Sequence, residues 1–291
     1  MKQSIGDKIF DAFIFIIMLM VIIVCAYPIY YIIIISFNDG VDSQLGGIFL
    51  WPRVFTLDNF KVVFTEGGLL QSFKITIEKT VLGTVLSVMF TSMVAYPLSK
   101  PLLIGRKIYL TIGTITMFFG GGLIPTFLLY KGLGLLDTFW VYIFPAMFNF
   151  YHVLIFISFF QGIPSSIEES AKIDGATDFR IYRSFILPLS KPVIATMALF
   201  NGVSQWNDYF GGVMYITRNT YLEPIQTYLY RIISQSGANQ MMAGFTDLVP
   251  TTTTTSVKYA TMVITTIPIV CIYPFLQKYF VKGMMIGAVK E

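Results

Sequence analysis

Asp208 stands among Trp206, Asn207 and Tyr209 in an otherwise apolar run, and His152 stands beside Asn149, Phe150 and Tyr151 in another. A carboxylate and an imidazole inside apolar segments are the groups that relay protons, hold a polar cargo or bond one helix to the next. A second set of acids, Glu168, Glu169 and Asp174, falls in a polar stretch between those two runs. Their neighbours limit the chemistry. His152 is the only histidine, and Cys25 and Cys271 lie far apart in apolar runs, so a multi-histidine or Cys/His metal site is not expected. The chain has no GxxxxGK[ST] phosphate loop, no HExxH and no GxSxG with a histidine to serve it. Proton- or ion-coupled carriers usually show more intramembrane ionisable groups, or paired broken helices in two related halves. No internal repeat is visible here. Neither catalysis nor a nucleotide or metal held by this chain is expected, and uphill movement of a solute would need power from another subunit.

The elements that position these residues follow from composition. Of 291 residues, 55% are hydrophobic and 12% charged, against roughly 25% charged in a soluble domain. With a mean hydropathy of +0.70, this excludes a disordered chain, a basic nucleic-acid binder and a secreted disulfide scaffold. Six runs approach the ~20 apolar residues that a spanning helix needs: 12–37, 80–98, 108–130, 139–160, 193–216 and 259–280. The expected fold is an all-α membrane protein of six transmembrane helices in one domain over 1–291. The first run is too long for a signal peptide and has no small-residue cleavage site after it, so it reads as a retained anchor. With the N-terminus inside, twelve Lys and Arg fall on inner segments and eight on longer outer loops. Both termini are then cytoplasmic, and 99–107, with three basic residues and no acid, is the clearest inner loop. Lys74, Glu78 and Lys79 read as an outer, amphipathic lead-in to the second span. The loop 217–258, with Pro250 and the run Thr251–Thr255, reads as extended.

The inner stretch 161–192, QGIPSSIEESAKIDGATDFRIYRSFILPLSKP, is long for a connector between helices. Ser165-x-x-Glu168 has the capping-box pattern that opens a helix. Gly175 suits its C-terminal end, where a positive φ is needed. Asp178 can cap a second short helix, whose apolar stripe is Phe179, Tyr182 and Ile186 and which Pro188 stops. The spacing predicts a helix–turn–helix elbow, charged outside and apolar inside. It either lies on lipid headgroups or docks a cytoplasmic partner.

The elbow resembles the EAA loop of permease subunits of bacterial ABC importers. The pattern appears as Glu169-Ser170-Ala171, Asp174-Gly175-Ala176 and Leu187-Pro188, with Ser170 where the family usually has Ala. Similarity extends from about Ala12 to the C-terminus. It includes Ala95-Tyr96-Pro97-Leu98-Ser99-Lys100, Gly121-Gly122-Leu123-Ile124-Pro125-Thr126, Trp206-Asn207-Asp208, and Lys282-Gly283-Met284 with Gly287-Ala288-Val289-Lys290. These pieces are similar to the carbohydrate-importing branch. The resemblance implies a second homologous permease (forming a heterodimer), two ATPase subunits that bind ATP and Mg, an extracytoplasmic solute-binding protein and an oligosaccharide cargo. It implies a bacterial cytoplasmic membrane and no nucleic acid. It also implies that Glu168, Glu169, Ala171, Asp174, Gly175, Ala176, Leu187 and Pro188 couple the permease to the ATPase. The C-terminal tail reads either as a positive-inside anchor or as a segment reaching toward the ATPases.

The expected pathway residues are Asn149, Tyr151, His152, Asn201, Gln205, Trp206, Asn207, Asp208 and Tyr209. Sugars set C–H faces against aromatic rings and need neutral donors and acceptors for their hydroxyls. Asp208 reads equally as a buried packing residue, and His152 as an interhelical hydrogen-bonder rather than a proton relay. No run carries a central Lys or Arg, which favours a neutral cargo unless the partner permease supplies the charge. The alternatives are another small polar solute, such as a glycerol-phosphate ester, and, more remotely, a membrane-embedded enzyme acting on lipid-linked sugar.

Overall fold

The computed structural model describes residues 5–65, 68–243 and 255–271. Among them the backbone is helical, without strands, apart from one antiparallel bridge between Asn38 and Phe55. The helices are α1 (Ile5–Ser36), α2 (Gly40–Gln44), α3 (Asp58–Thr65), α4 (Leu69–Ser99), α5 (Arg106–Phe118), α6 (Leu123–Gly132), α7 (Trp140–Ile143) and α8 (Phe150–Gln161). Then come α9 (Ser165–Ile173), α10 (Asp178–Ile181), a π-helical turn (Tyr182–Ile186), α11 (Leu187–Leu189), α12 (Lys191–Asn207), α13 (Phe210–Tyr215) and α14 (Ile225–Ala243). The last is α15 (Thr255–Cys271). The chain forms two compact units. One joins residues up to Leu69 to Leu229–Ile267, and the other comprises Leu70–Tyr228.

In the first unit, α1 at 1.5 Å per residue is about 48 Å long, against ~30 Å of membrane hydrocarbon. Its most apolar stretch is not buried within the chain at all, so its apolar side chains are left for lipid or another subunit. Its C-terminal end is finished by polar side chains. The buried Asn59 donates its Nδ2 to the carbonyls of Ser36 and Asn38 at 3.0 and 2.8 Å. That satisfies a carbonyl the helix itself cannot pair. Asn38 Nδ2 in turn reaches Asp42 Oδ2 at 2.9 Å, and Arg53 holds the same carboxylate at 3.1 Å.

In the second unit the expected spans are interrupted. The 80–98 span is the C-terminal part of the continuous 31-residue α4. Lys74, Glu78 and Lys79 lie in the same continuous helix, with Lys79 buried and Lys74 and Glu78 turned outward. The 108–130 run breaks at Phe119–Gly122, and α5 and α6 diverge by 114°; three consecutive glycines there give the helix little reason to continue. The 139–160 run breaks between α7 and α8. Asn149 opens α8, its Oδ1 accepting the Tyr151 N–H at 2.9 Å. The 193–216 run breaks at Asp208, whose backbone is extended (ψ 105°). The 217–258 loop is not extended throughout, since it contains the 19-residue α14. Two helices, Gly6–Ser36 and Leu69–Ser99, are each long and apolar enough to cross a membrane. Residues 272–280 of the sixth run, residues 251–254 of the threonine run and the tail at 282–290 lie outside the described residues.

Asp137 ties the α6–α7 loop to the segment after α13. Its backbone has a positive φ of 56°. Its Oδ1 accepts the N–H groups of Thr217 and Arg218 at 2.7 Å each. The Arg218 N–H, helped by those of Thr217 and Asn219, holds this carboxyl below its ordinary value. The tie is therefore complete above the ordinary carboxylate range near pH 4 and is lost as pH falls through the depressed value. Asp137→Ala should raise amide hydrogen exchange at Thr217 and Arg218 severalfold at neutral pH. Asp137→Asn keeps an acceptor and tolerates the left-handed backbone, so it should stay protected at neutral pH and lose the acid-dependent opening.

Candidate functional site

Two constellations in the second unit carry the residues of interest. The first is the elbow. α9 has Pro164 at its N-cap and no side-chain cap, so the capping box read from Ser165 and Glu168 does not form. Glu168 is engaged elsewhere: it pairs with Lys100, just past the C-terminal end of α4, and Lys100 also sits 4.5 Å over the Tyr96 ring. The end of α9 matches the reading. Gly175 has φ +78°, its N–H reaches the Lys172 carbonyl at 3.0 Å, and the Ala176 N–H reaches the Ala171 carbonyl at 2.9 Å. This crossed pair closes a helix around a left-handed residue. The second helix is capped by Thr177, whose Oγ1 accepts the Arg180 N–H at 3.4 Å, and not by Asp178.

Pro188 does not stop that helix. Proline lacks an N–H and its ring crowds the carbonyl four residues back. The chain widens ahead of it into a π-helical turn, in which the Leu187 N–H bonds the Tyr182 carbonyl. The helix then runs to Leu189, and α12 leaves at 80°. The widened turn also changes the stripe. Ile181, Tyr182 and Ile186 are buried, whereas Phe179 is 62% exposed.

The buried face rests on α4 and α8. Tyr182 OH and Ser92 Oγ lie 2.7 Å apart and buried, and the Tyr96 ring packs tilted against Tyr182 at 5.4 Å and edge-on against Phe160 at 6.2 Å. Ala171 is buried. Ala176 and Leu187 are partly buried against the same core. Glu169, Ser170, Asp174, Gly175 and Pro188 are exposed. The elbow is thus a knuckle, fixed underneath by packing and open on top.

The second constellation is a polar ladder between α4 and α12. Lys79 Nζ meets Asp208 Oδ2 at 2.8 Å. Gln205 lies against Gly83, where a Cβ would come within 3.0 Å of its Nε2. Ser87 Oγ donates to Asn201 Oδ1 at 3.1 Å. As positions rise along α4 they fall along α12, so the two helices run antiparallel and meet once per turn. Tyr142 and His152 flank the ladder. The Gln205 Nε2 donates to the Tyr142 carbonyl at 3.2 Å, and Asn201 Nδ2 lies 3.4 Å from His152 Nδ1. Lys79 also sits 4.6 Å over the Tyr142 ring.

The side chain of Lys79 is fully buried, and a charge is stable there only if paired. Lys79 lies within α4, one residue ahead of the 80–98 run, which itself carries no central Lys or Arg. Asp208 serves two partners, since its Oδ1 also accepts the Gly211 N–H at 2.9 Å, opening α13. Of the other expected pathway residues, Asn201, Gln205 and Trp206 are buried, and Asn149 caps α8. Tyr151, Asn207 and Tyr209 are exposed. Sequence reasoning missed Lys79, Gly83, Ser87 and Tyr142. The one-turn spacing of Lys79, Gly83 and Ser87 on α4, matched to Asn201, Gln205 and Asp208, was the available signal; Tyr142, on α7, had none.

A family model described as a binding-protein-dependent transport system inner membrane component matches residues 1–286. The chain is 39% identical over 285 residues to the polygalacturonan/rhamnogalacturonan transport system permease protein YtcP of Bacillus subtilis (strain 168), covering 98% of this chain and 99% of that one. It is 29% identical over 272 residues to the arabinooligosaccharides transport system permease protein AraQ of Halalkalibacterium halodurans, covering 92% of each. Among solved structures, it matches a chain of a bacterial ABC transporter involved in the import of the acidic polysaccharide alginate. That match has a TM-score of 0.87 and 31% identity, over 96% of this chain and 99% of that one.

Proposed function

The chain belongs to the family of binding-protein-dependent transport system inner membrane components, and from that premise we propose that it forms half of the pathway of an oligosaccharide importer and transmits an ATPase's motion through the elbow at Gly175. It is a membrane-integral, non-catalytic permease subunit. In this reading a second permease completes the pathway, two ATPase subunits bind ATP and Mg, and an extracytoplasmic binding protein delivers the cargo. Six spans place both termini and 161–192 in the cytoplasm, in one transmembrane domain. The observation that carries the reading is the knuckle itself: an exposed left-handed glycine directly after the exposed acid Asp174, with Glu169 exposed on the preceding helix, on a buried seat. Such an element moves as one piece when gripped. Reversing a 1:99 equilibrium takes about 5.5 kcal/mol of differential binding, and a soft loop would dissipate it.

Within oligosaccharides, the cargo we propose is a uronic-acid chain. The named cargo of one relative is polygalacturonan, and the transporter of the matched structure imports an acidic polysaccharide. Lys79 is buried and paired with Asp208, so it offers the cargo no cation, and the acidic reading rests on these relatives. A neutral pentose oligomer is the second reading, favoured by the arabinooligosaccharide relative. Purified complex, co-expressed with its partner subunits and binding protein, decides between them. Stimulation of ATP hydrolysis by oligogalacturonate and not by arabino-oligosaccharide is expected, and the reverse order selects the pentose reading. No stimulation by either sugar, with hydrolysis tied to glycerol phosphate instead, would overturn the cargo class.

Glu169 is exposed on the first turns of α9 and is expected to face donors on the ATPase. Glu169→Lys should abolish co-purification of the ATPase while leaving the permease in the membrane fraction. An intact complex would count against the proposed docking face.

A further inference from the structure

From Lys79 to Leu136 the chain contains no Asp or Glu. At the start of α5 this segment forms an open groove of 480 Å³, lined by Arg106, Lys107, Leu110, Thr111, Thr114 and Ile115. We propose that the groove holds one anionic phospholipid, its headgroup on Arg106 and Lys107 and an acyl chain along α5.

Charge complementarity argues for the headgroup. Glu168, which the structure places near this end of α4, is already paired with Lys100. Among the described residues Arg106 spends only its Nε, on the Leu98 carbonyl at 2.8 Å, which leaves its two terminal nitrogens for a phosphate. Lys107 is exposed. The depth of the groove argues for the chain. From Arg106 to Ile115 the helix rises about 13–14 Å, close to half of the ~30 Å hydrocarbon core, so the basic end and the uncharged wall of Leu110, Thr111, Thr114 and Ile115 match one leaflet. The adjoining turn argues for a membrane at that level. Leu102 and Ile104 are 95% and 92% exposed between the basic residues Lys100 and Arg106. Apolar side chains between cations fit an interface in which the former dip into acyl chains and the latter meet phosphates. A protein partner could cover Leu102 and Ile104, but it would leave the basic mouth of the open α5 groove at Arg106 and Lys107 unexplained.

The test uses the transporter assembled with its co-expressed partner subunits. It is exchanged into nanodiscs of phosphatidylcholine alone or mixed with phosphatidylglycerol, then released for native mass spectrometry, which counts retained lipids. The wild type should keep phosphatidylglycerol in preference to phosphatidylcholine, and excess inorganic phosphate should not displace it. Lys107→Gln should lower that retention about fivefold, the worth of one basic residue at an anionic surface; Lys107→Arg should restore it. Thr114→Trp fills the groove without changing charge and should also lower it, which serves if Lys107→Gln fails to assemble. Equal retention of both lipids by the wild type would overturn the proposal, as would unchanged retention in both variants. Displacement by inorganic phosphate would reduce the site to a phosphate site. Loss of a partner subunit from Lys107→Gln, with lipid retention unchanged, would assign the face to protein instead.

Discussion

Gly175→Val is expected to give a permease that inserts in the membrane but loses sugar-dependent ATP hydrolysis and uptake. The cause is the backbone and not a clash, since a Cβ at Gly175 would meet no atom within 4 Å, while φ is +78°. A β-branched residue held in that region costs on the order of 1–3 kcal/mol. Ten-fold in an equilibrium corresponds to about 1.4 kcal/mol, so the equilibrium favouring the seated knuckle should fall roughly five- to 150-fold across that range. Gly175→Asn separates geometry from contact, because asparagine adopts the left-handed region more readily. If Asn keeps coupled hydrolysis and Val loses it, φ is the requirement. If both lose it, the open space over Gly175 is filled by the ATPase. Normal uptake by the Val variant would sink the proposed role of the elbow.

The second large effect is expected at Lys79. Lys79→Met removes the cation and leaves the Asp208 carboxylate partly buried and unpaired. Breaking a buried pair from one side costs about 3–5 kcal/mol, whereas replacing both charges is often near neutral. Lys79→Met should therefore cut the yield of assembled complex and lower its thermal midpoint sharply. The double variant Lys79→Met with Asp208→Asn should recover most of both, because an asparagine oxygen still accepts the Gly211 N–H. Size-exclusion profiles and thermal shift of the two variants read this directly. A single variant as stable as the double would show that the pair is not what holds α12 at its break.

Both sites bear on how much could be read beforehand. The elbow was legible because local rules set it: Gly175 closes α9 as its residue type demands. Its finer points failed where another residue competed. Thr177 took the capping position from Asp178, and Glu168 found a cation on a helix 68 residues away, so it was not available for a capping box. Pro188 bent the hydrogen-bond pattern instead of ending it, which moved the buried stripe to Ile181. The spans were legible as apolar runs but not as breaks. Interruptions at 119–122, 144–149 and 208–209 depend on glycine runs and side-chain caps that hydropathy averages away. Lys79 was misplaced for the same reason. A lysine near an apolar run reads as a boundary unless its counter-ion, 129 residues on, is already known to lie opposite.

The elbow touches α4 at Ser92, Tyr96 and Lys100, and α4 touches α12 at each rung from Ser87 out to Lys79. A chimera made by grafting only 161–192 from a relative would keep the motif and sever its footing. For such a swap to yield a working hybrid, the donor's residues at 92, 96 and 100 must travel with the graft. The smallest exchangeable module is therefore discontinuous in sequence.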